Sequence, residues 1–550
     1  MSEATLASAT LALAVVLWAA TGPRAEAGGR ELGRGPVFGV VEIDFAGPHC
    51  KPADAPARDI ELRATFIHED RRHGHAVYGF WDGDGKGGSE GSIFKIRFCP
   101  TRPGRWRLLD VQSNDPRLAG QHKGGHILAT PSQHKGFWTP DPATPGGRWY
   151  RRSDGSHPYI FGNTHYTFLS GRNDRGPNGS TIEADIRANA RFFAKLRFGL
   201  CGGRYPHPTE KPFLDDAGQP TDDGDFSHRP NPAWFHNRPD DAVRTAWEVD
   251  LIADIILNGP DTRHSRSVLR AARNRGDNTP FLRYVAARYG SYPNVWFCLA
   301  NEWDIKNPKY TAEQIAAAGV ALRRCLATPA PISVHASRDW SPKLNARPPW
   351  NDHVILQHKI RHLAPSADAI MKNHRLGGAD RPVVNDELGY EGAGDRFTRD
   401  DVIAGHLGAF LGGGYGTTGF KPANKKGHYF WGAFDPAEHT AAKHLAWLRR
   451  IIETHITFWK MGPVAPREAG FSGVPAGARA MAWPGREIVL GTGEAAKGME
   501  VRLPAGAWHI QRFDAIAMQA TMLEKRATGT VALAAPASRA VLFHLKKIEE

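Results

Sequence analysis

Between residues 37 and 132 apolar and polar side chains alternate in short runs, as in Gly39-Val40-Val41-Glu42-Ile43-Asp44-Phe45 and Ile93-Phe94-Lys95-Ile96-Arg97-Phe98. Alternation puts every second residue on one face, and turns at Asp82-Gly83-Asp84-Gly85 and Pro103-Gly104 separate the runs, so an N-terminal Ig-like β-sandwich is predicted over 36–133. After the Pro- and Gly-rich stretch 139–147 the pattern changes to short, wholly apolar runs alternating with longer helical segments. Runs apolar on both faces are what the strands of a covered parallel sheet require. Eight of them, at 159–162, 196–200, 253–257, 295–300, 332–335, 354–358, 382–386 and 414–419, predict an α/β domain, a (β/α)8 TIM barrel over 140–460.

Helices are expected at 181–195, 280–289, 311–327 and 400–411, the second with Phe281, Leu282, Val285 and Tyr289 on one face. Residues 206–237, rich in Asp, Pro and Gly, read as a long loop on the site face after strand two. From Met461 alternation returns, in runs such as Glu487-Ile488-Val489-Leu490 and Ala540-Val541-Leu542-Phe543, and predicts a small C-terminal β-sandwich over 461–550. Trp483 and Trp508 within it either meet a glycan or pack against the barrel, packing being the default.

At 550 residues the chain exceeds a single core, in keeping with three domains. Its formal charge of +13 is spread along the sequence with no basic tail and no nucleic-acid motif, so no nucleic-acid partner is expected. An anionic polysaccharide would be steered towards such a surface. Residues 7–20 are apolar but too short and too early for a membrane span, and Ala25-Glu26-Ala27 follows as a cleavage site. A signal peptide over 1–27 is therefore expected, although no Lys or Arg precedes the apolar run, with a secreted or periplasmic product lacking a membrane span. Five cysteines, with no C-x-x-C spacing, leave free thiols and a Cys50–Cys99 bridge as alternatives.

Candidate chemistry lies at the ends of two apolar runs. Val295-Trp296-Phe297-Cys298-Leu299-Ala300-Asn301-Glu302 and Arg381-Pro382-Val383-Val384-Asn385-Asp386-Glu387 each present a glutamate at the C-terminal end of a strand, where a barrel builds its site. Glycoside hydrolysis needs two such carboxyl groups flanking one bond, about 5 to 5.5 Å apart for retention and about 6.5 to 9.5 Å for inversion. In these two motifs the chain resembles the retaining glycoside hydrolases of clan A, the superfamily with glutamates on strands four and seven. In domain outline it resembles an apiosidase-like bacterial subgroup with an N-terminal β-sandwich.

That resemblance implies Glu302 as acid/base, Asn301 as donor to the substrate 2-hydroxyl, and Glu387 as nucleophile. Burial and the neighbouring charge are expected to raise Glu302, and cationic neighbours to keep Glu387 ionised. Arg197 resembles the clan's strand-two arginine that reaches the nucleophile, with a surface ion pair as the competing account. His335, His358 and Tyr390 are candidates to bond the nucleophile or the sugar, Asn163, His165, Arg204 and His207 to contact sugar, and Trp431 to stack on it; rim packing is the alternative for each. His73-Gly74-His75 and the pair His358 and His362 lack an evident third metal ligand, so neither a metal nor another cofactor is expected.

The expected function is a secreted retaining glycoside hydrolase acting on a poly- or oligosaccharide. The alternative is a non-catalytic carbohydrate-binding protein on the same scaffold. Gly87-Gly88-Ser89-Glu90-Gly91 spells an esterase elbow, but it sits in a turn of the all-β region with no helix behind it.

Overall fold

The computed structural model describes residues 29–166, 168–171, 173–177, 179–202, 210–221, 223–259, 268–269, 278–305, 309–346, 348–423 and 433–549. The N-terminal region is a seven-stranded assembly in the order Glu31–Pro36, His126–Thr130, Gly104–Ser113, Leu62–His68, Gly74–Trp81, Gly91–Phe98, Val41–Cys50. Alternation governs it as expected: Val41, Ile43 and Phe45 are buried while Glu42, Asp44 and Ala46 between them are exposed. The inward residues pack with Phe66, Phe94, Phe98 and Trp106. Asp82-Gly83-Asp84-Gly85 is a turn, with Gly83 and Gly85 at φ +60° and +77°, where a Cβ would be strained.

Eight parallel strands form the central sheet: Phe161–Thr164, Lys195–Gly199, Ile252–Asn258, Val295–Ala300, Ile332–Ser333, Val354–Leu356, Val383–Asn385 and Tyr415–Gly419. Their spatial order is five-four-three-two-one-eight-seven-six. A single parallel bridge from His335 to Ile355 joins the ends, five and six, and rolls the sheet into a barrel. Strand five stops at Ser333, two residues earlier than expected, because the side chains of Asp352 and Ser333 replace ladder bonds there. Asp352 accepts from the Ile332 amide at 2.7 Å, and the Ser333 hydroxyl donates to the His353 carbonyl at 2.6 Å.

The barrel floor is aromatic. Trp296 of strand four lies 4.6 Å from the Tyr150 ring and 5.1 Å from His353, and the Tyr150 hydroxyl meets His353 Nδ1 at 2.8 Å. Tyr150 comes from the hairpin of Trp138–Pro140 with Tyr150–Arg152, so the linker between the domains plugs the barrel bottom.

The expected helices form at Thr181–Ala190, Thr279–Tyr289, Ala312–Cys325 and Arg399–Leu411. Ser180, Thr311 and Thr398 start three of them with reciprocal capping boxes. Helices at Pro239–Glu248, Leu363–Leu376 and Ala441–His455 complete the outer layer. The described part of 206–237 departs from a plain loop: it holds the short hairpin of Phe213–Leu214 with Pro220–Thr221 and the helix Pro232–Asn237, started by Asn231 and a proline. This segment leans on the N-terminal region, where Arg229 Nε donates to the Ala53 carbonyl at 3.1 Å.

Arg97 and Asp82 of the N-terminal region interlock with Arg288 and Asp240 of the barrel layer. Both arginines bond the Asp240 carboxylate at 2.7 Å, and Arg288 also bonds Asp82 at 2.7 Å. All four residues are buried. The two guanidinium groups stack over opposite parts of Phe80, at 5.1 and 4.7 Å from its centroid.

At the C-terminal end a six-stranded and a three-stranded antiparallel sheet share one core. Trp508 is wholly buried in it, its indole N–H donating to Pro504 O at 3.0 Å, so it presents no face to a glycan. All five cysteines are free and buried, which corrects the Cys50–Cys99 alternative. Burial pushes the Cys50 thiol up to about 11 and Cys298 up to about 12, leaving both protonated and unreactive at neutral pH. No described helix is long and apolar enough to cross a membrane.

Candidate active site

Inward positions of barrel strands alternate with outward ones, and Lys195 at the start of strand two, Asp254 within strand three and Asp386 just after strand seven bring buried charges together. Gly162 of strand one makes room for them: a Cβ there would lie 2.9 Å from the Lys195 side chain and 2.6 Å from the Thr417 hydroxyl. Lys195 Nζ donates to Asp254 at 2.8 Å and to Asp386, and the Thr417 hydroxyl donates to Asp386 at 2.7 Å. Burial works to raise the Asp386 carboxyl, but Lys195 and then Arg197 outweigh it and hold it well below the usual carboxylate range. Asp254 goes the other way: burial, reinforced by the Asp386 charge, raises it despite Lys195.

Above this layer Arg197, fully buried, reaches both motifs. Its guanidinium donates to Asn301 Oδ1, and Nη1 lies 3.8 Å from Glu387 Oε1. An exposed ion pair is thereby replaced as the account of Arg197. Glu387 is 6% exposed and receives a 2.9 Å hydrogen bond from the Gln357 side-chain amide, and the Tyr390 side chain beside it favours the ionised form. Gly419 leaves room for the Tyr390 ring, since a Cβ there would fall 2.7 Å from it.

Strand four ends in an abrupt turn. Asn301 N–H donates to Asn258 O of strand three at 2.9 Å, Trp303 N–H donates to His335 O at 3.3 Å, and Glu302 between them takes φ +46°. Left-handed backbone is uncommon outside glycine and asparagine and is held here from both sides. It directs the Glu302 carboxyl, 8% exposed, close enough to Glu387 for its charge to raise that group. Burial is the largest influence on Glu387 and pushes it up to about 7; Arg197 opposes, Glu302 adds, and Lys359 opposes. The neighbours expected to keep Glu387 ionised are present and act in that direction, but one guanidinium 3.8 Å away does not offset full burial beside a second carboxylate.

The remaining expected contacts divide. His335 is wholly buried inside the barrel mouth, and burial with the Arg197 charge keeps it neutral, well below the usual histidine range. His358 pairs with Asp339 at 3.1 Å. Asn163 is wholly buried, its amide donating to Asn189 of the first outer helix at 2.7 Å, which ties strand one to the helix layer. His165 Nδ1 lies 2.5 Å from Asp185 of that same helix, whose other oxygen accepts from the Phe434 amide at 2.6 Å; it braces the rim. Arg204, His207 and Trp431 lie outside the described residues. Sequence reasoning overlooked Gln357, Lys359 and the Lys195–Asp254–Asp386 layer, although charges at alternate positions of otherwise apolar strands were a visible sign of the last.

Residues 203–431 match the family model described as "Apiosidase-like, catalytic domain". Residues 35–109, before it, match a domain of unknown function, DUF5060. Among solved structures, the chain is similar to a proposed glycoside hydrolase from Bacteroides vulgatus ATCC 8482, at 20% identity and a TM-score of 0.73, over 94% of this chain and 100% of that one. A glycoside hydrolase family 5 structure from the same organism matches at 13% identity and a TM-score of 0.57, over 75% of this chain and 94% of that one. At these identities the likeness is one of fold, a glycoside-hydrolase scaffold that includes the flanking β regions in the first case. No protein of curated function matches the chain.

Proposed function

We propose that this protein is a retaining glycoside hydrolase that cleaves O-glycosidic bonds of a poly- or oligosaccharide by double displacement. The observation that carries the reading is the pair of buried carboxyl groups at the ends of strands four and seven, close enough for the charge of Glu302 to act on Glu387. The Glu387 carboxylate attacks the anomeric carbon while Glu302 gives its proton to the departing glycosidic oxygen. Glu302 then takes a proton from water, the water oxygen bonds the anomeric carbon, and the Glu387 ester bond breaks. Arg197, Gln357 and Tyr390 hold the Glu387 carboxylate in line for attack. Because Asn301 Oδ1 is occupied by Arg197, its amide nitrogen is the atom left to donate to a sugar hydroxyl.

The same reading takes 36–133 and 461–550 as β-sandwiches flanking a barrel of 140–460. It takes 1–27 as an export signal delivering the enzyme to a periplasmic or extracellular glycan. The charge of +13 supports a substrate bearing uronate or sulfate groups.

The test is hydrolysis of a panel of aryl α- and β-glycosides with neutral and acidic polysaccharides by the mature chain and its Glu387→Gln variant. Turnover by the parent, reduced at least about 10⁴-fold in the variant with glycan binding retained, is expected. A parent that binds glycans and cleaves none of the panel would show the scaffold to be a binding protein.

A further inference from the structure

The turn between the strands Leu62–His68 and Gly74–Trp81, in the N-terminal region, gathers His68, Asp70 and His73. One ligand atom from each lies within 4.8 Å of the other two. The Asp70 carboxylate is divided between two tasks. Its Oδ1 accepts the Arg72 and His73 amides at 2.8 and 3.2 Å, which shapes the turn. Its Oδ2 faces both imidazoles, 3.0 Å from His68 Nδ1 and 2.7 Å from His73 Nδ1.

His68, only 7% exposed, has its protonation pattern fixed by its neighbours. Nε2 lies 3.0 Å from the Pro103 carbonyl, which can only accept, so Nε2 carries the hydrogen. The Asp70 backbone N–H points at Nδ1 at 3.3 Å, so Nδ1 offers a lone pair. That nitrogen also stands 3.0 Å from a carboxylate oxygen, so the two share one cation, a proton or a metal ion. A backbone carbonyl on the far nitrogen is also how metal-binding histidines are commonly oriented.

We propose that His68 Nδ1, Asp70 Oδ2 and His73 Nδ1 bind a divalent first-row transition metal of the zinc class, with a fourth position open to water. Two imidazoles and one carboxylate suit zinc, whereas calcium and magnesium take oxygen. Zinc bonds of about 2.0 to 2.1 Å set tetrahedral ligand atoms about 3.3 Å apart, so the observed 2.7 and 3.0 Å need only a small opening of the side chains. Through Pro103 the ion ties this turn to the loop before the strand Gly104–Ser113. The site is structural and separate from the carboxyl pair of the barrel. His75, the second histidine of the His73-Gly74-His75 run, takes no part, since its ring stacks on Trp106 at 5.4 Å.

The experiment is titration of the tag-free, metal-stripped mature chain with Zn²⁺ by calorimetry and with Co²⁺ by visible absorption. The parent, His73→Ala, Asp70→Asn and the control His49→Ala are compared, with circular dichroism confirming that each is folded. One ion per chain is expected, bound at least tenfold more weakly by His73→Ala and by Asp70→Asn, with the tetrahedral cobalt spectrum lost in both and kept in His49→Ala. Absence of binding by the parent, or equal binding by the two site variants, would overturn the proposal and leave a proton as the shared cation.

Discussion

The ionisation of Glu387 answers to its neighbours. Glu387 is pushed up to about 7 by burial first, with the Glu302 charge adding to it, and the attacking form is the ionised one. Activity that depends on it therefore grows as pH rises through about 7 and fades below. Replacing Glu302 by Gln removes a negative neighbour, so Glu387 should fall towards its ordinary 4.5. With an aryl glycoside whose leaving group needs no proton, the acid limb of kcat/KM should move to lower pH in Glu302→Gln. A limb that stays in place would mean the two carboxyls do not interact across the cleft. The αL backbone at Glu302 has its own signature: Glu302→Gly should be more stable than Glu302→Ala by about 1 kcal/mol in denaturant unfolding, because only the second keeps a Cβ at φ +46°.

Among elements, the join between strands five and six differs from the rest of the ring. Strands three and four share pairings from Ala253–Val295 to Asn258–Ala300, whereas His335–Ile355 is the one bridge between five and six. Amides at that join should exchange with solvent ahead of those in strands three and four, as hydrogen-exchange mass spectrometry would read. Uniform protection around the ring would refute this. Strands were legible in the sequence because runs such as Val295–Ala300 are apolar on both faces, a pattern with few other uses. The helix Pro239–Glu248 was missed although Pro239 starts it and Asp240 and Asp241 occupy its first turn, since the Asp- and Pro-rich stretch before it read as loop. The glutamates were legible as strand ends; Gln357 was not, because the bond that matters crosses from one barrel strand end to the next and no local pattern marks it.

On the scale of the whole molecule, the N-terminal region meets the barrel through buried, paired charges. Asp240→Asn leaves Arg97 and Arg288 buried beside each other with a neutral amide between them, and should cost about 3 to 5 kcal/mol in chemical denaturation. Asp368→Asn, which breaks the exposed pair with Arg479, should cost under about 1 kcal/mol. Similar losses from the two would mean the buried square contributes no more than a surface contact.

The way that square divides has a consequence for assembly. Asp240 and Arg288 lie on the barrel side; Arg97 and Asp82 on the other, beside Glu42 and Lys95, which bond them at 2.9 and 3.1 Å. Each side therefore owns a cation and an anion, and neither carries an orphan charge before the two meet. The N-terminal region leaves the ribosome first and can fold with Glu42 and Lys95 as provisional partners. When the barrel arrives, docking is an exchange of partners between two electrically balanced surfaces, so the order of synthesis and the order of folding can coincide.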